Sequence, residues 1–284
     1  MAENSLSTLN INSTIKLNDS VEIPCIGFGT YLNTGDKALH TVTWAIQAGY
    51  RLIDTAALYK NEAEIGRAIK KFGIPRDQLF IITKLWDSDH GRKAATQAFM
   101  NSLHKLDLGY IDMYLIHSPN CGKIVDTWRA LIELKAKGLV RSIGVSNFGV
   151  HHLKALQSSF PNDLPSVNQL EITPYLTRSD LVSYCRHQGI GIMAYSPLTQ
   201  GHMLKDPPLT ELALKYNKST AQLLIRWSIQ SGFIVIPKSS KQERIKENIN
   251  LFDFEISADD MLKLNALDRH AVFDWDPTEE PWTS

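Results

Sequence analysis

The fold is most constrained by a regular alternation of short apolar runs with longer amphipathic segments. Short apolar runs are typical of buried parallel strands, and apolar residues spaced three and four apart are typical of helices. A helical pattern follows each strand candidate. The eight strand candidates are 27–30, 51–54, 79–84, 111–117, 140–145, 166–169, 190–195 and 233–237. This strict alternation favours an α/β fold that closes into a (β/α)8 TIM barrel over a doubly wound sheet.

The remaining segments fit around this barrel. The helical patterns cover 36–48, 62–72, 94–106, 124–137, 150–158, 179–188, 209–216 with 221–230, and 241–249. Residues 14–24 alternate around Asn18-Asp19-Ser20, which predicts an N-terminal β-hairpin. We expect residues 1–13 to be loose, 258–267 to form an extra helix, and 268–284 to form a tail loop. No linker or change of composition divides the chain, so we expect one domain over residues 1–284.

Composition argues against several partners and locations. The chain carries 30 basic and 30 acidic side chains, and this zero formal charge argues against nucleic acid as a partner. No apolar run approaches the ~20 residues of a membrane span, and the N-terminus lacks the apolar core of a secretory signal. The cysteines Cys25, Cys121 and Cys185 lie far apart, which favours a reduced, cytoplasmic protein without a disulfide framework. We expect a monomer, because no heptad pattern or apolar edge is evident.

Polar residues stand at the ends of several strand candidates, where an apolar residue would be expected. Asp54, Lys84 and His117 end the second, third and fourth candidates, and Tyr59 lies in the loop after Asp54. In a barrel these strand ends share one rim, where active sites form. A lone polar strand end is more often a paired structural group, but four such residues at one rim favour a site.

These four residue types together suit acid–base chemistry on a carbonyl group. A phenol titrates near ~10, and a lysine ammonium beside it favours the phenolate and lowers its pKa. In this hypothesis Asp54 holds Lys84 charged and in place, and Lys84 keeps the pKa of Tyr59 low. His117 would orient a substrate oxygen or share the proton. Such a phenol can protonate the oxygen of a carbonyl group that accepts a hydride.

A second cluster, late in the chain, suits a phosphate group. Lys238 and Ser239 follow the eighth strand candidate, and Arg244 lies in the next helical pattern. Helix N-termini bind phosphate, and barrels often bind it near strands seven and eight. The simpler alternative is a solvated basic helix start. Two cations and a hydroxyl also suit a phosphate monoester such as the 2′-phosphate of NADP.

Other chemistries lack their motifs. The histidines His151, His152, His202 and His270 lack the spacing of metal ligands, so we expect no metal site. No serine nucleophile elbow is present. Gly27-Phe28-Gly29 lacks the third glycine of a Rossmann loop and lies on the wrong element.

Several long motifs resemble the aldo-keto reductase family between about Thr14 and His270. The stretch GYRLIDTAALYKNEAEIG (49–66) resembles its first signature, and IPKSSKQERIKEN (236–248) resembles its cofactor signature. The shorter motifs ITKLW, YLIHSP, GVSNF, VNQLEITPYL and AYSPL fall between them in the family's order. The compact layout is most similar to the small, single-barrel branch of diketogluconate and glyoxal reductases and a trypanosomal prostaglandin F synthase.

The resemblance implies roles for individual residues. It implies a catalytic tetrad of Asp54, Tyr59, Lys84 and His117, with Tyr59 as general acid. It implies NADPH as cofactor, held at its nicotinamide end by Ser146, Asn147, Gln169 and Tyr195. The implied ligands of the 2′-phosphate and adenine are Lys238, Ser239, Arg244, Glu247 and Asn248. The further implied cofactor contacts are Gly29, Thr30, Tyr31, Asp54, Ser196 and Leu198. The implied substrate contacts are Tyr31, Tyr59, Trp86, His117 and Ser118.

One departure from the family follows His117. Many members have a tryptophan at the next position, whereas this chain has Ser118 ahead of Pro119. The loop 118–125 is also short. We therefore expect a site that is more open on this side, with Trp86 and Tyr31 as its aromatic walls.

The sequence predicts an enzyme: a cytoplasmic, NADPH-dependent reductase of small-molecule aldehydes and ketones that needs neither nucleic acid nor a membrane. The main alternative is a non-catalytic NADP(H)-binding protein on the same barrel, with a redox-sensing or structural role. Such a protein would tolerate loss of the tetrad, and all four tetrad residues are present. A hydrolase or isomerase of sugar phosphates would explain the phosphate cluster but not the pairing of a phenol with a lysine.

Overall fold

Eight parallel strands form a closed barrel behind an N-terminal hairpin, in a computed structural model that describes residues 9–282. The hairpin pairs β1 (Thr14–Lys16) with β2 (Glu22–Pro24) in antiparallel register. The barrel strands are β3 (Phe28–Gly29), β4 (Leu52–Asp54), β5 (Phe80–Leu85), β6 (Ile111–Ile116), β7 (Val140–Ser146), β8 (Val167–Glu171), β9 (Gly191–Tyr195) and β10 (Ile234–Val235). Each strand pairs with the next along the chain. The predicted hairpin and TIM barrel are confirmed.

The last strand closes on the first. The Gly27 N–H donates to the Val235 carbonyl at 2.8 Å, and the Val235 N–H donates to the Cys25 carbonyl at 3.0 Å. A side chain at Gly29 would place its Cβ 3.0 Å from the Ile236 carbonyl oxygen. This seam explains why 27–30 reads as a strand in which two backbones approach closely.

Helices follow the strands as the sequence predicts, with ends that differ by one or two residues. They are α1 (Gly35–Ala48), α2 (Glu62–Phe72), α3 (Arg92–Leu106), α4 (Ile124–Ala136), α5 (Val150–Ser159), α6 (Ser179–His187), α7 (Pro207–Lys215), α8 (Thr220–Gln230), α9 (Gln242–Ile249) and α10 (Ala258–Asn265). None of the helices in residues 9–282 is long and apolar enough to cross a membrane.

The hydrophobic core has two layers. The larger layer lies between the outward face of the strands and the helices. The smaller one fills the barrel, where Leu17 and Ile23 of the hairpin pack with residues such as Leu52, Phe80 and Val167. These three residues lie at the beginnings of β4, β5 and β8. The hairpin therefore closes the amino-terminal end of the barrel and leaves the carboxyl-terminal rim for a site.

The two termini are more ordered than the sequence indicates. Part of the expected loose segment, residues 1–8, lies outside the described residues. In the rest of it, Leu9 and Ile11 pack against the outer core, which differs from the expectation for 1–13. Residues 268–282 of the tail form neither helix nor strand, as expected. Thr278 is nevertheless buried, and its carbonyl oxygen packs against Gly149.

Gly66 marks the closest approach of two helices. A Cβ at this position of α2 would lie 2.0 Å from the carbonyl oxygen of Leu106, at the end of α3. Real Cβ atoms do not approach a backbone oxygen so closely, so the two helices would have to separate.

We therefore expect Gly66→Ala to destabilise the protein by roughly 1–3 kcal/mol, as overpacked cores do. This reverses the usual sign, because alanine normally stabilises a helix interior by up to ~1 kcal/mol over glycine. Urea unfolding of the variant and of Lys71→Ala, an exposed position on α2, measures the difference. An unfolding free energy for Gly66→Ala at or above the wild-type value would contradict this packing.

Candidate active site

The alternation of side chains along the strands carries six polar residues to the rim. The inner core contains, in chain order, Leu52, Ile82, Leu115, Val167, Met193 and Ile236. Two residues beyond each of them lie, in the same order, Asp54, Lys84, His117, Gln169, Tyr195 and Lys238. Every second residue of a strand lies on the same face, so these residues continue the inward row toward the carboxyl ends. The sheet thus brings together what the sequence places far apart.

A cavity of about 960 Å³ opens at this rim. It is lined by Tyr59 and His117, and also by Lys238 and Arg244 beyond β10. Three of the four predicted tetrad residues, Asp54, Tyr59 and His117, therefore face the same space as the phosphate cluster, whereas Lys84 lies buried behind them. All the residues that the resemblance assigns to the cofactor line it.

A buried ion pair supports this cavity from below. The Lys84 ammonium donates to Asp54 Oδ1 at 2.7 Å and to the Thr55 carbonyl at 2.9 Å. Lys84 is fully buried, and Asp54 is 2% exposed. Burial lowers the pKa of Lys84, while the charge and hydrogen bond of Asp54 raise it. Gln169 Nε2 donates to the other carboxylate oxygen at 2.8 Å, so both Asp54 oxygens are bonded.

Tyr59 ends a short 3₁₀ helix after β4, and its hydroxyl lies 3.4 Å from the Lys84 ammonium. Burial, the largest cause, raises the pKa of Tyr59 well above its ordinary value of 10.0, and the negative charge of Asp54 raises it further. The hypothesis that Lys84 keeps this pKa low is wrong for this structure. The ammonium is closer to Asp54, at 2.7 Å, than to the phenol, at 3.4 Å, and burial has the largest effect on the phenol. Tyr59 is therefore protonated at neutral pH.

His117 stands between two aromatic rings at the rim. Its ring lies edge-on to Tyr59 at 5.7 Å and to Trp86 at 5.0 Å between centroids. Burial and then the charge of Lys84 lower its pKa well below the usual range, so the imidazole is neutral. Its Nδ1 is buried and has no hydrogen-bond partner among residues 9–282.

The residues assigned to the carboxamide form a connected polar wall. Ser146 Oγ donates to the Gln169 carbonyl at 2.9 Å, and Asn147 Nδ2 donates to the His117 carbonyl at 3.1 Å. Asn147 has a left-handed backbone, with φ of 63°. The Tyr195 hydroxyl donates toward Asn147 Oδ1 at 2.9 Å and lies 3.1 Å from the Trp275 carbonyl. Tyr195 therefore packs against the tail as well as lining the cavity.

The two cations of the phosphate cluster are not engaged in salt bridges within residues 9–282. Lys238 and Arg244 line the cavity, and no salt bridge within the described chain includes either of them. Burial lowers the pKa of Lys238, and the nearby charge of Lys37 lowers it further. Two unpaired cations at one part of a cavity and an amide-rich wall at another fit a phosphorylated dinucleotide such as NADPH.

Ser118 does not take the place that the sequence assigned to it. It is fully buried, it is not among the residues that line the cavity, and its hydroxyl donates to Asp87 Oδ1 at 2.6 Å. It also accepts the Asn120 N–H at 3.2 Å. The prediction that Ser118 contacts the substrate is therefore wrong. Its hydroxyl instead forms hydrogen bonds that join the loops following Trp86 and His117.

The tail and the loop after β9 bring residues to the cavity beyond those that the sequence assigned to the site. Trp275 lies beside Trp86, with ring centroids 5.9 Å apart, so the aromatic wall has a third member. Asp274, Gln200 and Leu204 also line the cavity. Local patterns could not place them, because their position depends on contacts between distant parts of the chain. Among residues 9–282, no group of three or more His, Cys, Asp or Glu side chains is arranged to hold a metal.

Comparisons with known proteins identify the family of this chain. The aldo/keto reductase family model matches residues 25–269. The chain is 48% identical over 261 residues to a glyoxal reductase of Bacillus subtilis, covering 92% of this chain and 94% of that protein. It is 42% identical over 274 residues to a 9,11-endoperoxide prostaglandin H2 reductase of Trypanosoma cruzi, covering 95% and 96%. Among solved structures, an aldo-keto reductase of Bombyx mori in complex with NADP superposes with a TM-score of 0.88 at 37% identity, covering 97% and 99%.

The raised pKa of Tyr59 gives a direct spectroscopic test. In a near-ultraviolet titration, wild type and Tyr59→Phe should show the same phenolate absorbance at pH 10.0, because Tyr59 stays protonated there while folded. In denaturant, where a tyrosine titrates near ~10, the two proteins should differ by about half a phenolate at this pH, which serves as the control. An extra phenolate in the folded wild type below pH 10 would show that Lys84 lowers the pKa after all.

Proposed function

Because the chain belongs to the aldo/keto reductase family, we propose that it reduces aldehydes and ketones to alcohols with NADPH, using Tyr59 as the proton donor. The observation that carries this proposal is the contact of the Tyr59 hydroxyl with the buried Lys84–Asp54 pair at the cavity. A protonated phenol whose conjugate base faces an ammonium is suited to give up its proton as negative charge develops on a substrate oxygen.

When bound, the reduced nicotinamide supplies the hydride that adds to the carbonyl carbon. As charge develops on the carbonyl oxygen, the Tyr59 hydroxyl transfers its proton to that oxygen, and the bond order to carbon falls to that of an alcohol. Lys84 stabilises the phenolate left behind, which regains a proton from solvent after the product leaves. The neutral imidazole of His117 holds the carbonyl oxygen in line with the phenol.

The cofactor is proposed to lie along the cavity. Ser146, Asn147 and Gln169 would bind the carboxamide, and Tyr195 would pack on the nicotinamide ring. At the other end, Lys238, Ser239 and Arg244 would pair with the 2′-phosphate, with Glu247 and Asn248 near the adenine. The unpaired cations favour NADPH over NADH, because the second cofactor lacks that phosphate.

The proposed substrates are small carbonyl compounds that fit against the aromatic wall of Tyr31, Trp86 and Trp275. The names of two relatives, for the reduction of glyoxal and of an endoperoxide, are consistent with a cavity whose opening is lined by aromatic side chains. We also propose that the protein acts as a cytoplasmic monomer, as its composition suggests.

Replacing Tyr59 with Phe removes the proton donor and leaves the ring in place. We expect kcat to fall by ~10²–10⁴, the usual contribution of a positioned acid. NADPH affinity, measured by fluorescence titration, should stay near the wild-type value. Loss of NADPH binding together with turnover would leave the fall in kcat without diagnostic value, so the binding titration is part of the test. Full turnover by Tyr59→Phe would sink the assignment and favour a different acid.

Replacing Arg244 with Ala tests the cofactor preference. We expect the Kd for NADPH to rise at least tenfold and the Kd for NADH to change little, because only NADPH carries a 2′-phosphate. The matched control is Lys246→Ala, which removes an equal charge from an exposed position of the same helix, outside the cavity. Equal losses for both cofactors would mean that Arg244 has another partner.

A further inference from the structure

The tail holds a carboxylate over the cavity in a fixed position. Glu171, at the end of β8, is fully buried and accepts the backbone N–H groups of Phe273 at 2.9 Å and Asp274 at 3.2 Å. The carbonyl of the next residue, Trp275, lies 3.1 Å from the Tyr195 hydroxyl. Further along, Arg178 pairs with Asp276 at 3.0 Å. The backbone at Asp274 is thus bonded on both sides to the ends of barrel strands.

This arrangement brings Asp274 to the cavity, next in the chain to Trp275 of the aromatic wall. Asp274 lines the cavity, and Trp275 beside it contacts Trp86, which in turn contacts His117. The Ser196 hydroxyl approaches Asp274 Oδ2 at 3.4 Å, which is a weak hydrogen bond. After burial and the charge of Asp54, Asp274 is among the charges that raise the pKa of Tyr59. Its field therefore reaches the proposed proton donor.

Asp274 differs from the other charged residues that line the cavity. Asp54 is neutralised by Lys84 at 2.7 Å. Lys238, Arg244 and Glu247 line the cavity where the sequence places the phosphate and adenine contacts. Within residues 9–282, no salt bridge includes Asp274. It therefore lines the same cavity as Tyr59 without a cation at salt-bridge distance among these residues.

We propose that Asp274 sets the charge preference of the site, so that neutral and cationic carbonyl compounds are favoured over those with a carboxylate near the carbonyl group. This inference rests on the proposed reductase function and specifies its substrate class. An anionic substrate would bring its carboxylate into the field of Asp274 while its carbonyl oxygen contacts Tyr59. A neutral aldehyde of the same shape meets no such repulsion.

The magnitude follows from Coulomb's law. For two unit charges several ångströms apart in a partly exposed cavity, the repulsion corresponds to roughly a three- to tenfold change in kcat/KM. The same repulsion must weaken as salt is added, because mobile ions screen partly exposed charges. The aromatic wall offers equal packing to either member of a matched pair of aromatic aldehydes.

The test compares 4-formylbenzamide with 4-carboxybenzaldehyde, which have nearly the same shape and differ mainly in charge. The wild type should have the higher kcat/KM for the neutral aldehyde. In Asp274→Asn, the ratio of kcat/KM for the anionic over the neutral aldehyde should rise roughly three- to tenfold over the wild-type ratio. Raising the salt concentration should increase this ratio in the wild type but not in the variant. The control Glu279→Gln removes an equal charge from an exposed tail position outside the cavity and should keep the wild-type ratio.

An unchanged ratio in Asp274→Asn overturns the proposal. The proposal is also overturned if kcat/KM changes equally for both aldehydes while KM for NADPH falls, because Asp274 would then act on the cofactor. If neither aldehyde is turned over by the wild type, the proposed function itself fails. The charge preference is then decided by binding: tryptophan fluorescence should show tighter binding of benzamide than of benzoate in the wild type, and Asp274→Asn should reduce the difference. Equal binding in the wild type would overturn it.

Discussion

The site depends on one interaction, the ion pair between Lys84 and Asp54 at the bottom of the cavity. A lysine with no exposed surface is costly to place in a protein interior, and a single partner rarely offsets that cost. Here the ammonium has Asp54 at 2.7 Å and the Thr55 carbonyl at 2.9 Å. Gln169 bonds the second carboxylate oxygen, so no part of the pair is left unsatisfied. The barrel must close with β4 beside β5 and β8 within reach of both for these contacts to form.

The pair also determines the protonation of its neighbours. At Tyr59, burial and then the negative charge of Asp54 raise the pKa and keep the phenol protonated. At His117, burial and then the charge of Lys84 lower the pKa and keep the imidazole neutral. The cavity therefore presents two uncharged groups to a substrate oxygen, one of which can give up a proton. Lys84 acts chiefly on the phenolate formed during the reaction, rather than by lowering the pKa of the phenol at rest.

Much of this arrangement could be predicted from the sequence, since it follows from the period of a strand. A polar residue two positions beyond an inward apolar residue points to the same rim, and this rule places Asp54, Lys84 and His117 together. The strand and helix bounds were predictable to within one or two residues for the same reason. Ser118 was misplaced because its hydroxyl turns to Asp87, a residue on another loop. The position of the tail could not be read from local patterns, because Asp274 is held by Glu171, 103 residues earlier, and Trp275 by Tyr195, 80 residues earlier. The pKa of Tyr59 was predicted with the wrong sign because pairwise chemistry, without burial, favours the phenolate.

The most direct test of the account is the fate of reduced nicotinamide with the purified protein and a panel of reactive carbonyl compounds: nitrobenzaldehyde, methylglyoxal, phenanthrenequinone and a prostaglandin endoperoxide. Absorbance measures cofactor loss, and product analysis measures the reduced compound, with NADPH and NADH compared in parallel. The account predicts that NADPH is consumed in a one-to-one ratio with the alcohol formed from the aldehyde, and faster than NADH. Tight NADPH binding without consumption against any member of the panel would contradict it, and would favour a sensing or structural role for the same barrel.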